Sequence, residues 1–507
     1  MSFNVLTEPW IPVIKDGKGL KMGILGVLEH AHELSEVLCS EILETYSIQR
    51  LLIAFLIDAY QSAGKLETIA DRQDLFYSGR FDMQVIHDYV KLCESEGTSF
   101  DLFDEKRPFM QNAFDPEIDT GKETKATKLF LTLPSGNNHI HFEHYDNGIP
   151  AFTLEQCLRG LLTAYCFAYK DGRGYVSSIN GQPCYYFLIR GRNLFETLVL
   201  SMTAKSEISE QVCNMPVAWR QTDSVTPGRE FPAVSLLAAY TWQPRRVGLI
   251  QDDDGLIRNV YLKPGHVFTG RQIWRDPHTA VCMNKKGEYS TLTPSEDRAF
   301  WRDVGSLTTT SGRNVQPTII AQYRRFIEDS SVCPIEAFGM VTDQASLIQL
   351  SYDLLNIPSQ LLEEVEKADR LNKDISFIED ISKSLKKVLK KMEHSLENKP
   401  KTQQTGKKKD KDSQLVNETV QKYFAAIHNY VIDEYFNLLG NADTFNDNWQ
   451  NAVVASVNEK VKSETLSAFN EAKSSLGTNA RQLQAQAGSE VALRKELKKH
   501  LERRKNK

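Results

Sequence analysis

The chain has 507 residues, of which 41% are hydrophobic and 25% are charged, and its formal net charge is −5. This length leaves room for two to four domains of roughly 100–200 residues each, and the composition is that of a globular protein with an ample core. The mildly acidic balance excludes a polycation, so any binding of nucleic acid must come from local basic patches.

The first part of the chain, residues 1–355, mixes two kinds of periodicity. Short strand-like runs such as "PWIPVI", "CYYFLIRG" and "NVYLK" alternate with helical runs, the longest of which is "SEILETYSIQRLLIAFLIDAYQ". Alternating apolar residues favour strands, whereas apolar residues three and four apart favour helices. We therefore predict one large, irregular mixed α/β domain over residues 1–355.

From residue 356 onward glycine and proline become rare, and helical periodicity takes over. The pattern predicts four amphipathic helices, hence a four-helix bundle over residues 356–507 and an α+β fold class for the chain. The expected helices are one with an apolar face at 385, 388, 389, 392 and 396, a second from about Ser413 to Leu439 with Gly440 as its C-cap, a third over about 445–474 and a fourth over about 480–503. A basic loop near 398–413 is predicted to be mobile.

The first of these helices carries a row of lysines opposite its apolar face. They are Lys386, Lys387, Lys390 and Lys391. Such a row is typical of a solvated helix face, and it also suits a track for a phosphate backbone, which binds without reading sequence.

The eight cysteines are scattered singly, and no two are spaced as C-x-x-C. This pattern argues against a disulfide scaffold and a cysteine-ligated zinc, and it suits a reducing compartment. The N-terminal stretch does not resemble a signal peptide, and the longest apolar runs, 51–57 and 157–169, are shorter than the roughly 18 residues of a membrane span. The sequence thus predicts a cytoplasmic protein with no membrane partner.

The stretch "KDGRGYVSSINGQP", residues 170–183, concentrates three of the chain's 28 glycines. Its Gly172-x-Gly174 is not a dinucleotide fingerprint, because the third glycine position is Ser177 and the preceding run looks helical. The stretch is either a demanding turn or a surface that another molecule approaches closely.

Candidate catalytic groups are few. The cluster "HIHFEH", with His139, His141 and His144, is compatible with a zinc site, although polar residues on an exposed strand or loop make the same pattern. His87 and Asp88 form an isolated pair within a helical run. No nucleophile motif or paired carboxylate stands out, so the sequence favours a binding or scaffold role over an enzyme.

Six short motifs, taken together and in order, resemble the CasA family, the large subunits of the type I-E CRISPR complex Cascade. They are "VLTEPWIPV" (5–13), "RPFMQ" (107–111), "GQPCYYFLIRGRNLFETLVLSM" (181–202), "WQPRRVGL" (242–249), "IWRDPH" (273–278) and "DQASL" (343–347). The resemblance implies a non-catalytic subunit that recognises a short motif in double-stranded DNA, starts strand separation and helps recruit a helicase-nuclease in trans. It also implies guide RNA and other Cascade subunits as partners, and no cofactor. Some members of the family hold a zinc ligated by cysteines, but this chain lacks those cysteines, so we expect no metal.

The resemblance assigns a role to the glycine-rich stretch. A glycine loop in this position lies in the family against the minor groove of the motif duplex, which is about 6 Å wide and admits bare backbone best. Gly172, Arg173 and Gly174 are then motif readers, with Lys263 in "YLKPGHVF" as a further minor-groove contact. The alternative is a plain turn.

Two further segments carry family roles. Asp343 and Gln344 correspond to a wedge hairpin that splits the first base pairs beside the motif. The alternative is an ordinary turn in which Asp343 caps a helix formed by "QASLIQLSYDLL". Phe142 and His144 correspond to a loop that touches the 5′ handle of the guide RNA, with stacking by Phe142, although a buried strand phenylalanine fits equally.

Two competing hypotheses remain open from the sequence. One is a protein-docking scaffold without direct DNA readout, in which the basic runs only keep the surface solvated. The other is a metalloenzyme that uses His139, His141 and His144.

Overall fold

The computed structural model describes residues 2–133, 150–170, 172–208, 213–284, 286–308, 314–327, 332–343, 346–396, 412–446 and 448–505. The chain divides into two compact units, because most contacts between residues fall within one unit or the other. The first comprises residues 1–300 and 311–355, and the second comprises residues 301–310 and 356–507.

Eight α-helices belong to the described part of the first unit. They are α1 (Ile24–His30), α2 (Ile42–Ser62), α3 (Ile69–Ser78), α4 (Met83–Ser95), α5 (Leu154–Cys166), α6 (Leu194–Ser201), α7 (Leu236–Tyr240) and α8 (Thr318–Ala321). Helix α2 is buried along almost its whole length, so that charged residues such as Arg50 and Asp58 lie in the interior beside its many apolar ones. The expected helix over this run is confirmed.

Fourteen strands are described, and they form several small sheets. They are β1 (Ile11–Lys15), β2 (Lys18–Met22), β3 (Glu36–Val37), β4 (Thr124–Lys125), β5 (Tyr186–Ile189), β6 (Glu230–Phe231), β7 (Arg245–Gln251), β8 (Ile257–Pro264), β9 (Val267–Phe268), β10 (Val281–Met283), β11 (Tyr289–Thr291), β12 (Asn314–Val315), β13 (Val332–Asp343) and β14 (Ser346–Pro358). The strand orders are β2-β1-β3, β4-β8-β7, β11-β10-β12 and β14-β13-β5, with a parallel β6-β9 pair. The three strand-like runs in the sequence are thus strands β1, β5 and β8.

Two hairpins bear on function. Strands β7 and β8 pair antiparallel, with Arg246 opposite Lys263 and Arg245 opposite Pro264. Strands β13 and β14 are neighbours in one sheet, and β13 pairs antiparallel with β5 on its other side. The first hairpin supports the glycine-rich stretch, and the second carries Asp343 at the end of β13.

The second unit is helical. Its helices are α9 (Ser359–Glu363), α10 (Val365–Leu396), α11 (Gln414–Tyr430), α12 (Phe436–Gly440), α13 (Trp449–Ser474) and α14 (Ala480–Lys505), and a π-helical turn (Val431–Tyr435) joins α11 to α12. The four long helical segments are the expected bundle, so the α+β fold class is confirmed. The predicted apolar face of the first helix is buried at 385, 388, 389 and 392, as expected.

One detail of the bundle differs from expectation. Gly440 is the last residue of α12 and Asn441 is the C-cap, so Gly440 does not cap the helix. A Cβ atom at position 440 would lie 2.7 Å from the Cβ of Pro358. A glycine fits at this position because the ring of Pro358 packs against the helix backbone, and a sequence pattern does not distinguish this close approach from a cap.

Within the described residues, no helix combines the length and apolar character needed to cross a membrane. All eight cysteines lie within the described residues and are free thiols.

Candidate nucleic-acid interface

The glycine-rich stretch forms a tight exposed loop between α5 and β5. The backbone N–H of Tyr175 donates to the carbonyl of Gly172 over 3.3 Å, which closes a turn. Gly172, Arg173 and Gly174 are all exposed at its tip. Gly174 has φ +85°, a left-handed conformation in which a side chain is strained.

The tip also lies close to the end of β8. A Cβ atom at Gly174 would stand 3.4 Å from Cγ of Pro264, and one at Gly172 would stand 3.1 Å from the ring of Tyr175. The Tyr175 hydroxyl donates to the carbonyl of Leu262 over 3.2 Å. The glycines therefore serve both a positive φ and a close approach, and the loop rests on the β7–β8 hairpin.

Arg245, the first residue of β7, holds the two ends of the loop together. Its Nη2 donates to the carbonyl of Tyr169 over 2.7 Å, and its Nη1 donates to the carbonyl of Val176 over 2.6 Å. Its guanidinium carbon lies 4.9 Å from the centroid of the Tyr175 ring. One buried cation thus ties both ends of the loop and its aromatic residue to the sheet.

Lys263 lies between the two residues of β8 that the loop touches. Its side chain is half-buried, and its ammonium donates to the carbonyl of Thr120. The structure therefore brings Lys263 and the glycine loop together along the backbone, while the ammonium group is turned toward Thr120. Any contact of this ammonium with a ligand must replace that hydrogen bond.

The C-terminal end of the loop enters a buried polar network. Asn180 Nδ2 donates to Asp276 Oδ2 over 2.8 Å, and Trp274 Nε1 donates to Asn180 Oδ1 over 2.9 Å. Arg50 on α2 donates to the same Asp276 oxygen over 2.7 Å. Arg50 and Asp276 are 2% and 3% exposed. This network fixes the point from which the loop departs.

The electrostatics of the network favour the ionised pair. Burial by itself raises the pKa of Asp276, but Arg50 together with His278 and Asn180 more than offsets this, so the pKa lies below its ordinary value. Burial lowers the pKa of His278 to about 4. Neutral His278 donates from Nε2 to the carbonyl of Ser201 and accepts from the Tyr46 hydroxyl at Nδ1.

The sequence did not single out Arg245, Asn180 or Asp276 as parts of the site. Arg245 and Asp276 lie in "WQPRRVGL" and "IWRDPH", two of the motifs on which the family resemblance rests. A charged residue inside an apolar, aromatic motif could have indicated them, because such a residue is expected to be buried and a buried charge needs a partner.

The predicted wedge segment lies at the tip of the β13–β14 hairpin. Asp343 is the exposed last residue of β13, and β14 begins at Ser346. Gln344 lies outside the described residues. The alternative of a helix capped by Asp343 is wrong, because residues 346–358 form a strand, and its pairing with β13 overrides the local helical pattern.

The lysine row of α10 is divided by an ion pair. Lys386 and Lys390 both contact Asp412, and the distance from Lys390 Nζ to Asp412 Oδ1 is 2.6 Å. Lys387 and Lys391 are exposed. Burial by itself raises the pKa of Asp412, but the two lysines outweigh it and hold the pKa below its usual range. Two of the four lysines of the predicted phosphate track are therefore already engaged by one carboxylate.

The histidine cluster and the predicted RNA contact, His139, His141, Phe142 and His144, lie outside the described residues. Across the part of the chain that is described, no group of three or more histidine, cysteine or acidic side chains is placed to hold a metal. His87 and Asp88 are exposed on α4, where Asp88 accepts from Gln84 and Lys91.

The sequence model of the family "CRISPR-associated protein Cse1" matches residues 4–460. The chain belongs to the Cse1 family. A Thermus thermophilus protein described as CRISPR-associated protein CasA/Cse1 is 30% identical over 396 residues, which are 76% of each chain. This Cse1 membership confirms the resemblance to the CasA family.

Solved structures share the Cse1 fold over both units. A crystal structure of Thermus thermophilus CasA matches with a TM-score of 0.78 at 24% identity, covering 98% of this chain and all of the other. A chain of a structure titled "CRISPR RNA-guided surveillance complex" matches with a TM-score of 0.73 at 19% identity, covering 97% of this chain and 99% of that one. At these identities the likeness establishes the fold.

Proposed function

We propose that this Cse1 chain is the non-catalytic large subunit of an RNA-guided CRISPR surveillance complex, and that it recognises the short motif beside a DNA target. The observation that supports the proposal is the glycine loop, whose exposed tip Gly172–Gly174 lies between the two carbonyls that Arg245 ties to the β7–β8 hairpin. A narrow, side-chain-poor protrusion with one exposed arginine suits a minor groove.

In this proposal the loop reads the motif through backbone groups, and Arg173 adds a positive charge in the groove. Minor-groove readout separates base-pair classes coarsely, so several related motifs are accepted. Lys263 reaches the same groove once its ammonium leaves the carbonyl of Thr120. Motif binding then leads to strand separation by the hairpin tip that carries Asp343 and Gln344.

The remaining contacts follow the same scheme. Lys387 and Lys391, joined by Lys386 and Lys390, interact with the phosphate backbone without reading its sequence. Phe142 and His144 contact the guide RNA, which supplies sequence specificity by base pairing. Other Cascade subunits hold the chain in the assembly, and a helicase-nuclease is recruited in trans to do the cutting.

The test is duplex binding by the reconstituted guide complex, with and without this chain, on targets that carry every trinucleotide at the motif position. The variants are Arg173→Ala, Gly172→Asp and Gln344→Ala, at one fixed salt concentration because phosphate contacts depend on salt. Lys18→Ala, which removes an exposed cation from β2, is the control. We expect discrimination between motifs to require the chain and to fall in the first two variants.

Gln344→Ala is expected to preserve motif discrimination and to slow the opening of the duplex, followed with a fluorescent base beside the motif. If discrimination persists without the chain, or survives both loop variants, the chain is a protein-docking scaffold and the loop is only a turn. Stoichiometric zinc or manganese in the purified protein would instead favour the metalloenzyme hypothesis.

A further inference from the structure

The helical unit contains a buried cluster with more positive than negative charge. Asp374 on α10 is fully buried and accepts from two arginines at its Oδ1, Arg370 one turn earlier over 2.6 Å and Arg504 in the last turn of α14. Its Oδ2 accepts from the hydroxyl of Tyr435 over 2.8 Å. Two guanidinium groups thus share one carboxylate.

Both arginine side chains are largely buried. The Arg370 side chain is 10% exposed and that of Arg504 is 8% exposed. The guanidinium carbon of Arg504 lies 4.3 Å from the centroid of the Phe377 ring, which offsets part of the loss of water. Burial, together with the neighbouring Arg370, lowers the pKa of Arg504 to about 9, which is still well above neutral pH, so the excess positive charge persists at physiological pH.

Three donors of the cluster are unused. Nε of Arg370 and Nε and Nη1 of Arg504 are buried and have no hydrogen-bond partner among the described residues. Buried N–H groups are normally satisfied, and a buried charge is normally paired. The neighbouring buried cation, Lys367, meets this rule, because it donates to the carbonyl of Gly440 and to Glu364.

We propose that Arg370 and Arg504 form an anion site that binds a phosphate group. Water would satisfy the unused N–H groups but would leave the excess positive charge. An oxyanion would accept from the N–H groups and would also neutralise that charge. A phosphate group offers several acceptor oxygens at once, and the planar guanidinium fork matches them. The residual exposure of the two side chains is the route of entry. The site is independent of the proposed reading of DNA by the glycine loop.

The site lies where the second unit departs from regular helix. Tyr435, the third partner of Asp374, belongs to the π-helical turn between α11 and α12. Such turns widen the helix locally and recur at functional sites. The Tyr435 hydroxyl donates to Asp374 Oδ2 and does not contribute a partner to the arginine donors.

The experiment is thermal unfolding of the full chain in phosphate and in chloride at equal ionic strength and pH. The variants are Arg504→Met and Arg370→Met, which keep the aliphatic stem and remove the charge. Arg494→Met is the matched control, because Arg494 is an exposed arginine of α14 paired with Glu490. We expect saturating phosphate to raise the Tm of the wild type and of the control by about 2–4 °C, and to leave both site variants unmoved.

A second expectation separates the proposal from a purely structural role. In chloride, Arg504→Met should unfold at or above the wild-type Tm, because it removes the excess buried charge while Arg370 still pairs Asp374. Equal Tm values for the wild type in phosphate and chloride would overturn the proposal. So would an Arg504→Met variant that loses stability equally in both buffers.

A third measurement distinguishes free phosphate from the phosphate of a nucleic-acid strand as the ligand. Isothermal titration of the wild type with inorganic phosphate, and separately with a short thymidine oligonucleotide, needs no variant to fold. Heat of binding with inorganic phosphate alone assigns the site to a free oxyanion. Heat of binding with the oligonucleotide that is lost when free phosphate is added as a competitor assigns the site to a nucleic-acid strand. Absence of heat in both titrations would refute the site.

Discussion

Arg245 stacks on Tyr175 while it hydrogen-bonds the carbonyls that begin and end the loop around that tyrosine. The hydroxyl of Tyr175 donates to the carbonyl of Leu262 on β8, the strand that pairs with β7, which begins at Arg245. These contacts anchor both ends of the loop and Tyr175 to the β7–β8 hairpin, and we infer that they restrict the motion of the exposed tip. A rigid tip loses little entropy on binding, which is the physical basis for selective recognition by so small an element.

Replacing Arg245 should loosen the loop without unfolding the domain. We expect Arg245→Gln to reduce motif discrimination in the guide complex roughly tenfold, equivalent to about 1.4 kcal/mol, and Arg245→Lys to restore part of it. Trypsin provides a direct readout, because cleavage after the exposed Arg173 should become faster in Arg245→Gln. Arg258→Gln, at the other end of the hairpin, is the control. Unchanged cleavage and discrimination would show that Arg245 does not position the loop.

The left-handed glycine at the loop tip has a matched counterpart elsewhere. Gly174 has φ +85° and Gly17, in the β1–β2 turn, has φ +72°. Alanine at either position should cost about 1–2 kcal/mol of stability, because the backbone strain is the same. We expect only Gly174→Ala to impair motif binding, measured on the same duplex panel. Equal binding by the two variants would mean that the tip does not contact DNA.

The buried pair of Arg50 and Asp276 should matter for stability far more than a surface pair. Asp276→Asn leaves Arg50 buried without a full countercharge, so we expect a loss of about 3–5 kcal/mol in the free energy of unfolding. Asp254→Asn, in the exposed turn between β7 and β8, should change it by less than about 1 kcal/mol. Urea unfolding followed by tryptophan fluorescence measures both. A small effect of Asp276→Asn would show that the network does not anchor the loop.

Two buried histidines predict a loss of stability in mild acid. Burial lowers the pKa of both His278 and His266 to about 4, in the latter case with help from Arg229. The unfolded chain takes up protons below its ordinary histidine pKa while the folded chain does not. Stability is therefore complete above about pH 6.5 and declines as the pH falls toward 4.

Between about pH 7.5 and pH 5 this amounts to roughly 2 kcal/mol for each histidine, in a window above the titration of most carboxyls. Urea unfolding at several pH values gives the slope. His266→Gln should remove about half of it, whereas His87→Gln, an exposed position on α4, should leave it unchanged. A pH-independent free energy of unfolding would contradict the neutral, buried state of these side chains.

Asp412 should limit binding of DNA by the helical unit. Asp412→Asn frees Lys386 and Lys390, so we expect stronger non-specific binding and a steeper dependence on salt, by up to about 0.9 in the logarithmic slope for each added phosphate contact. Lys387→Gln together with Lys391→Gln should do the opposite. Fluorescence anisotropy with a random duplex over a range of salt concentrations measures both. Identical slopes would mean that the lysine row is only a solvated face.

Much of the fold was readable from local pattern. Helix α2, strands β5 and β8 and the four long helical segments were predicted because apolar periodicity and turn residues act over a few neighbouring positions. The errors occurred where distant packing overrides the local signal. The run after Asp343 has helical spacing but pairs with β13 as a strand, and Gly440 looks like a cap but is small to admit Pro358.

The sequence by itself determined that residues 170–183 are unusual, that the chain resembles the CasA family, and that its C-terminal part is a bundle with a lysine face. Only the tertiary structure decided what holds the loop, because Arg245 lies 76 and 69 residues from the carbonyls it joins. It also decided that Asp412 engages two of the four lysines, and that two arginines converge on Asp374 from opposite ends of the helical unit's sequence. Hydrogen bonds and charge pairs between distant segments depend on the folded path of the backbone, and a one-dimensional pattern carries no record of that path.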